Sequence, residues 1–380
     1  PPPPPRDSIR RQRQMCIRDR SRSVAVERLR RVPGERDRAE RMLRSVIDNP
    51  AALAGYQRQD GAVVESTAKL FDPSKTPSLS GSEVSYLIIT NEALATAFQA
   101  LAAHRTASGQ PAVIKTVEWI EANYRNGVDL QETIRMFIRD AYERWGVEYV
   151  LLGGDTDVLP ARYALSDFYP TGGTTEIPAD MYFACLDGNW NADGDMIFGE
   201  AGLGGPFLGD DCDMASDVAI GRAPVSDVAD VNVFVDKVIE YEAAAAGAAF
   251  GNGLLLAAEV LFRTVAGEIT TDGAAFSEEM MDSVVVDCSG MTVTRMYESF
   301  DLEDEFGQLL YPGSVRETAA AVLDSLETGR YGIFNQIGHG FLFNMSMGTG
   351  NITVSDADAL VNENHFLLYA LNCASAGFDY

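Results

Sequence analysis

From Val84 onward the chain alternates short apolar runs with longer stretches of helical period. Tyr86-Leu87-Ile88-Ile89-Thr90 is such a run, as expected for a strand covered on both faces. Glu92–His104 reads as a helix, and Ala112–Thr116 as a second strand. The clearest helix is Leu130–Trp145, where Leu130, Ile134, Phe137, Ile138, Ala141 and Trp145 share one face. Tyr149–Leu152 is a third strand, running into Gly153-Gly154-Asp155. After an irregular, Gly/Asp/Asn-rich stretch (160–217) come a strand at Val218–Arg222 and a helix from Val228 to Ala244.

An Ala/Gly-rich stretch at 243–253 marks a boundary, and the rhythm then restarts. It predicts a strand at Leu254–Ala258, a helix at Ala274–Val284 and a strand at Met291–Arg295. A helix at Ser314–Leu326 and a strand running to His339 follow, then a short helix at 356–362 and a strand running to Cys373. Strands alternating with helices imply parallel βαβ units. The chain therefore reads as α/β, with two parallel-sheet subdomains at 83–250 and 251–380. Residues 1–32 run from proline into arginine with no apolar period, and read as a non-native or disordered leader. They lack the apolar core of a signal peptide. Residues 33–82 read as a pro-segment or linker with one short amphipathic helix, Arg38–Ile47.

Composition narrows the function. Hydrophobic residues make up 46%, enough for a sizeable core. No apolar run is long enough to cross a membrane as a helix. The net charge of −26 argues against nucleic acid and anionic membranes as partners, and suits cation binding. The five cysteines form no C-x-x-C pair, so a zinc ribbon is not expected. Of the three histidines, His104 sits at a helix end and His365 at a strand entry.

The third histidine carries chemistry. Gly332–Gly340 is an apolar run ending in Gly338-His339-Gly340, and Phe366–Ala374 is one ending in Asn372-Cys373-Ala374. Ligands of open α/β sheets bind at the carboxyl ends of the strands. If these two strands lie side by side and parallel, imidazole meets thiol there, as an activated nucleophile requires. Glycine on both sides of His339 lets a ligand approach the backbone. The amides of Gly340 and Cys373 are candidate oxyanion donors.

A second motif is acidic. Asn189, Asn191, Asp193, Gly194 and Asp195, with Glu200 after them, follow the spacing of a calcium loop, with Asn in place of Asp at the first position. Asp187 is a further candidate ligand, and Asp210, Asp211, Asp213 and Asp217 are candidates for a second site. Without a helix on each side this is a Ca2+ loop and not an EF-hand, and its competing reading is a solvated acidic turn. No organic cofactor is expected. Gly153-Gly154-Asp155 raises a nucleotide-binding reading, but no G-x-G-x-x-G and no P-loop accompany it.

Several blocks in order, among them YLIIT, IRMFIRDAYERWGVEYVLLGGDTDVLPAR, DMYFACLDGNWNADGD, DVAIGRAPV, IGHG and ALNCASAGFDY, resemble the catalytic domain of gingipain-type cysteine peptidases, relatives of caspases, legumain and clostripain. The resemblance runs from Tyr86 to Tyr380. It implies a caspase-like second part with His339 as general base and Cys373 as nucleophile, and a protein or peptide substrate. Their 34-residue separation is shorter than the caspase spacing of about 50 and typical of the gingipain branch. It further implies a carboxylate in the pocket for the residue before the scissile bond, which would select Arg or Lys. Asp272 is the candidate, with helix N-cap as its competing role. The resemblance places such proteins outside the cell or at its surface. Family members continue with a helix after the nucleophile, so the chain reads as truncated at the C-terminus. The alternative reading is an inactive fragment, or a binding or secretion module on the same fold.

Overall fold

The computed structural model describes residues 84–379, apart from 125–126, 169–172, 201–209, 211, 213–214, 246–248 and 282–289. The leader and linker segments lie outside the described residues. The chain divides into two compact units. One comprises residues up to Ile89, with 105–152 and 161–221; the other comprises 90–104, 153–160 and 222–380.

The first unit is built on a four-stranded sheet of order β2-β1-β3-β6, from β1 (Tyr86–Thr90), β2 (Ala112–Thr116), β3 (Tyr149–Gly153) and β6 (Ala219–Ala223). β1 and β3 run parallel, with Ile88 opposite Leu151. An antiparallel ribbon, β4 (Tyr163–Phe168) with β5 (Gly173–Pro178), precedes β6. Among the described residues, three helices precede β3: α1 (Gln99–Ala107), α2 (Val117–Asn123) and α3 (Leu130–Trp145). α3 starts where the Asp129 side chain accepts the Glu132 amide, and stops at Gly146, whose φ of 77° suits glycine. Its buried face holds Ile134, Phe137, Ile138, Ala141 and Trp145. Trp119, Tyr124 and Trp145 meet Phe137 edge-on, each pair contributing roughly 0.5–1.5 kcal/mol beyond area burial.

The helix expected at Glu92–His104 instead begins at Gln99. Asn91 accepts the Leu94 amide through its side chain and holds 92–98 as turns.

A short helix α4 (Met181–Ala184), a long one α5 (Val228–Ala245) and a 3-10 turn (Ala249–Asn252) come before the second sheet among the described residues. That sheet has five strands in the order β11-β10-β7-β12-β16. They are β7 (Gly253–Ala258), β10 (Thr292–Tyr297), β11 (Val315–Arg316), β12 (Ile333–Ile337) and β16 (Leu367–Leu371), and every pairing is parallel. β7 is buried along its whole length and splits its residues between two cores. Leu255 and Ala257 face Val322 and Leu326 of α7 (Ala319–Glu327), while Leu254, Leu256 and Ala258 face Ala274 of α6 (Gly273–Met280). α7 is shorter than the expected helix because Thr318 caps it and β11 occupies the residues before.

Two ribbons that the periodicity did not announce extend from this sheet. One is β8 (Val260–Arg263) with β9 (Ile269–Asp272); the other is β13 (Gly340–Phe341), β14 (Asn344–Ser346) and β15 (Asn351–Thr353). A short helix α8 (Val354–Ala359) follows, closed at its start by a capping box between Thr353 and Asp356. β16 is an edge strand, and Leu367, Leu368, Tyr369 and Leu371 are exposed on it.

Candidate active site

Three neighbouring strands of the second sheet deliver the polar groups. In register, Ala258 of β7 lies beside Ile337 of β12, and Ile337 beside Leu371 of β16. Glu259 follows one residue beyond this level, and His339 and Cys373 two residues beyond it. The strand order runs outward from β7 in both directions, so this edge is also where the topology switches. The Gly338 amide donates to the Leu371 carbonyl and continues the β12–β16 pairing past the strand ends.

Both His339 and Cys373 are exposed. The His339 Nε2 lies 2.9 Å from the Leu261 carbonyl oxygen. A carbonyl only accepts, so Nε2 is the donor here, and in the neutral imidazole the lone pair then lies on Nδ1. Phe262 stands edge-on to the imidazole, with ring centroids 6.1 Å apart. Sequence reasoning had no access to Leu261, because its contribution is a backbone carbonyl on a ribbon that lacks a strong period.

Glu259 was also missed. It is 5% exposed, and each carboxylate oxygen accepts a hydrogen bond: Oε2 from the His339 amide and Oε1 from Ser346 Oγ, both at 2.7 Å. It thereby ties the end of β7 to His339 and to Ser346 of β14, which are themselves joined by the Ser346 amide donating to the His339 carbonyl. An acid directly after an apolar strand was the available signal. Gly340 packs against Asn372, so closely that a β-carbon there would come within 2.5 Å of that side chain. Asn372 in turn donates to Gln336 Oε1 at 2.9 Å and accepts from Ser375 Oγ at 2.6 Å. The residues flanking His339 and Cys373 thus touch across the strand ends.

Asp272 ends β9, next to Gly273, whose amide donates to the Glu259 carbonyl. A β-carbon on Gly273 would meet that carbonyl and Ile337, so the start of α6 is pressed onto the same edge. Asp272 Oδ1 accepts the Ala274 amide as the N-cap of α6, and Oδ2 accepts the Tyr311 hydroxyl at 2.9 Å. Tyr311 is held well above the usual phenol range, by burial first and then by the Asp272 charge.

In the first unit, Asp193, Asp195 and Glu200 each offer a carboxylate oxygen within 4.8 Å of the others. Oxygens about 2.4 Å from a shared calcium fit that span. Glu200 is pushed up from the usual carboxylate range, by loss of solvent and then by Asp195, Asp193 and Asp210. Asn189 and Asn191 accept the amides of Asn191 and Met196, which coils the loop. Asp210 closes it, accepting the amides of Ala192, Gly199 and Glu200, and so belongs to this loop. Asp187 lies outside the group of three, Asp217 accepts the Leu186 amide, and Asp211 and Asp213 fall outside the described residues. Of the other sequence candidates, His104 pairs with Glu242 and His365 with Glu240. Asp155 caps a turn through the amides of Asp157 and Val158, and Arg222 donates to the Gly154 and Leu159 carbonyls; this gives Gly153-Gly154-Asp155 a structural role.

Residues 80–380 match the sequence profile of Peptidase family C25. The chain belongs to that family. Among solved structures it is similar to the complex of Porphyromonas gingivalis RgpB pro- and mature domains, at 18% identity and a TM-score of 0.52, covering 78% of this chain and 57% of that one. A second match is the Arg-specific cysteine proteinase gingipain R (RgpB), at 18% identity and a TM-score of 0.52, covering 78% and 56%. These likenesses establish a shared α/β fold, and the chain spans just over half the length of the structures it matches. No curated protein sequence matches it. Among the described residues, no helix is long and apolar enough to cross a membrane.

Proposed function

We propose that this C25 chain carries the catalytic part of a cysteine endopeptidase, with Cys373 as nucleophile and His339 as base. The observation that carries this reading is the β12–β16 register, which brings the two residues to one level at the carboxyl edge of a parallel sheet. The Leu261 carbonyl fixes the tautomer in which His339 Nδ1 is free to take the thiol proton. Cys373 Sγ attacks the peptide carbonyl carbon, and the amides of Gly340 and Cys373 receive the developing oxyanion. Nδ1–H then protonates the departing amine, leaving a thioester. Water, deprotonated by Nδ1, hydrolyses the thioester and restores the thiol. Glu259 holds His339 in place through its backbone.

Asp272 fits a basic side chain ahead of the scissile bond. Its carboxylate has lone pairs beyond those used by Ala274 and Tyr311, and a guanidinium adds a charge-assisted bond there. The Asp193–Asp195–Glu200 group, with amide oxygens from Asn189 and Asn191, fits a structural Ca2+ that would offset the loop's negative charge.

The test is peptide cleavage together with labelling by a thiol-directed probe. Cys373→Ala abolishes both, and His339→Ala lowers turnover by about 1,000-fold or more. Asp272→Ala removes cleavage after Arg and Lys but leaves labelling intact. Full turnover by Cys373→Ala would overturn the reading.

A further inference from the structure

Glu317 stands out among the carboxylates of the second unit. It is 1% exposed, and neither carboxylate oxygen has a well-formed hydrogen bond; the Gly348 amide gives it only weak support. Its surroundings are themselves acidic. Glu259 is buried at the end of β7, and Glu298 follows β10. The three surround one short piece of chain, 346–348. Ser346 donates to Glu259 Oε1. The β-carbon position of Gly348 lies 3.1 Å from both Glu317 Oε2 and Glu298 Cβ. Arg263 on β8 is engaged with Glu298 Oε1 at 3.0 Å, Arg316 beside Glu317 in the chain lies 3.9 Å from Asp301 Oδ2, and Glu298 Oε2 accepts the Val260 amide.

A buried carboxyl with so little donor support is costly as an anion, and more so beside two other carboxylates. A cation could relieve it. However, the oxygens of Glu259, Glu298 and Glu317 do not converge within one cation's span, as those of Asp193, Asp195 and Glu200 do. A proton requires no such convergence. The same turn leads through Ser346 and Glu259 to the His339 backbone.

We propose that Glu317 is a neutral carboxylic acid buried under the 346–348 turn, a positioning residue whose ionisation in alkali unseats His339. Burial first, then the charges of Glu259 and Glu298, push it up to about 9, against a smaller downward pull from the Gly348 amide. With the folded value above the unfolded value of 4.5, its contribution to stability is complete below 4.5 and is lost as pH rises towards about 9. The group is kept at a cost to stability across the neutral range, and its effect falls on the loop that holds His339.

The test compares melting temperatures of the full chain and Glu317→Gln across that pH range, with and without Ca2+. Glutamine keeps the shape and cannot ionise. The two curves should meet in mild acid and separate as pH rises, with the variant higher. In peptide cleavage, the variant should retain activity further into alkali than the wild type. Parallel melting curves would overturn the proposal. So would a Ca2+-induced rise in melting temperature that Glu317→Gln abolishes, since the cluster would then hold a cation. If the variant does not fold, infrared spectra of wild-type chain labelled with 13C-glutamate decide the matter. A protonated carboxyl band persisting above about pH 7 supports the proposal, and its absence overturns it. The proposal rests on the peptidase reading only for its effect on cleavage. The melting and infrared measurements need no turnover, so the two can fail separately.

Discussion

Two groups of acidic residues among those described, the 187–200 loop and the 346–348 turn, solve the problem of like charge differently. In the 187–200 loop the carboxylates are largely solvent-facing, and three of them converge on one point. Around the 346–348 turn the glutamates are mostly buried and do not converge; two of them are satisfied by donors, and the third has only weak support from the Gly348 amide. Exposed acids can wait for a cation because water screens them. Buried ones must find donors or a proton during folding. Residue type alone does not distinguish the cases; the number of donors that the backbone brings to each oxygen does.

The largest contrast is expected on truncation. Glu259→Ala leaves the His339 amide and Ser346 hydroxyl without their acceptor and should cost about 3 kcal/mol in chemical denaturation. Asp195→Ala, measured in chelator, should stay within about 0.5 kcal/mol of wild type. Equal costs would erase the distinction. Next comes calcium. At about a hundredfold excess over its Kd, Ca2+ should stabilise the wild type by about 2.7 kcal/mol, read as a rise in melting temperature over chelator. Asp193→Ala and Glu200→Ala should lose that rise, and a wild type that melts identically in both conditions would show the loop to be a solvated turn.

Asp272 sharpens the comparison from between the extremes, since it is half-buried with a donor on each oxygen. Tyr311→Phe removes one donor while the N-cap remains, and should cost only about 1 kcal/mol. A loss as large as that of Glu259→Ala would mean the cap is not sufficient. The smallest effect concerns pH in the exposed loop. Glu200 is raised, so its contribution is full below its ordinary value of 4.5 and shrinks as pH rises above it. In chelator, Glu200→Gln should flatten the fall in melting temperature above that pH. With saturating Ca2+ the wild-type fall should vanish. A wild type whose pH dependence ignores Ca2+ would break the link between this charge and a metal.

Much of the second sheet was legible because its strands are apolar runs with turn residues between them. β7, β12 and β16 could be placed from Leu254–Ala258 and from the runs ending at His339 and Cys373, and the acidic loop from its alternating oxygens. What could not be read was whatever depends on partners distant in sequence. The Leu261 carbonyl, the Glu259 bonds and the Glu317 burial are relations between segments tens of residues apart. The helix starts at Gln99 and Ala319 were displaced by side chains that hold turns or caps, Asn91 and Thr318, against a hydrophobic period that would have begun earlier. β16 looked like any buried run, and only the sheet order reveals it as an edge with Leu367 and Tyr369 exposed.

That edge position bears on the order in which the molecule is assembled. Among the described residues β16 pairs with β12 alone, and it follows the other four strands of its sheet in the chain. The four strands β11, β10, β7 and β12 can therefore condense, with Leu261 already oriented towards His339, before Cys373 has left the ribosome. Closing the final loop from β12 to β16 adds only a modest entropic cost once that platform exists. Cys373 thus reaches the carboxyl edge of the sheet after His339, and during synthesis a nascent chain carries the imidazole before the thiol.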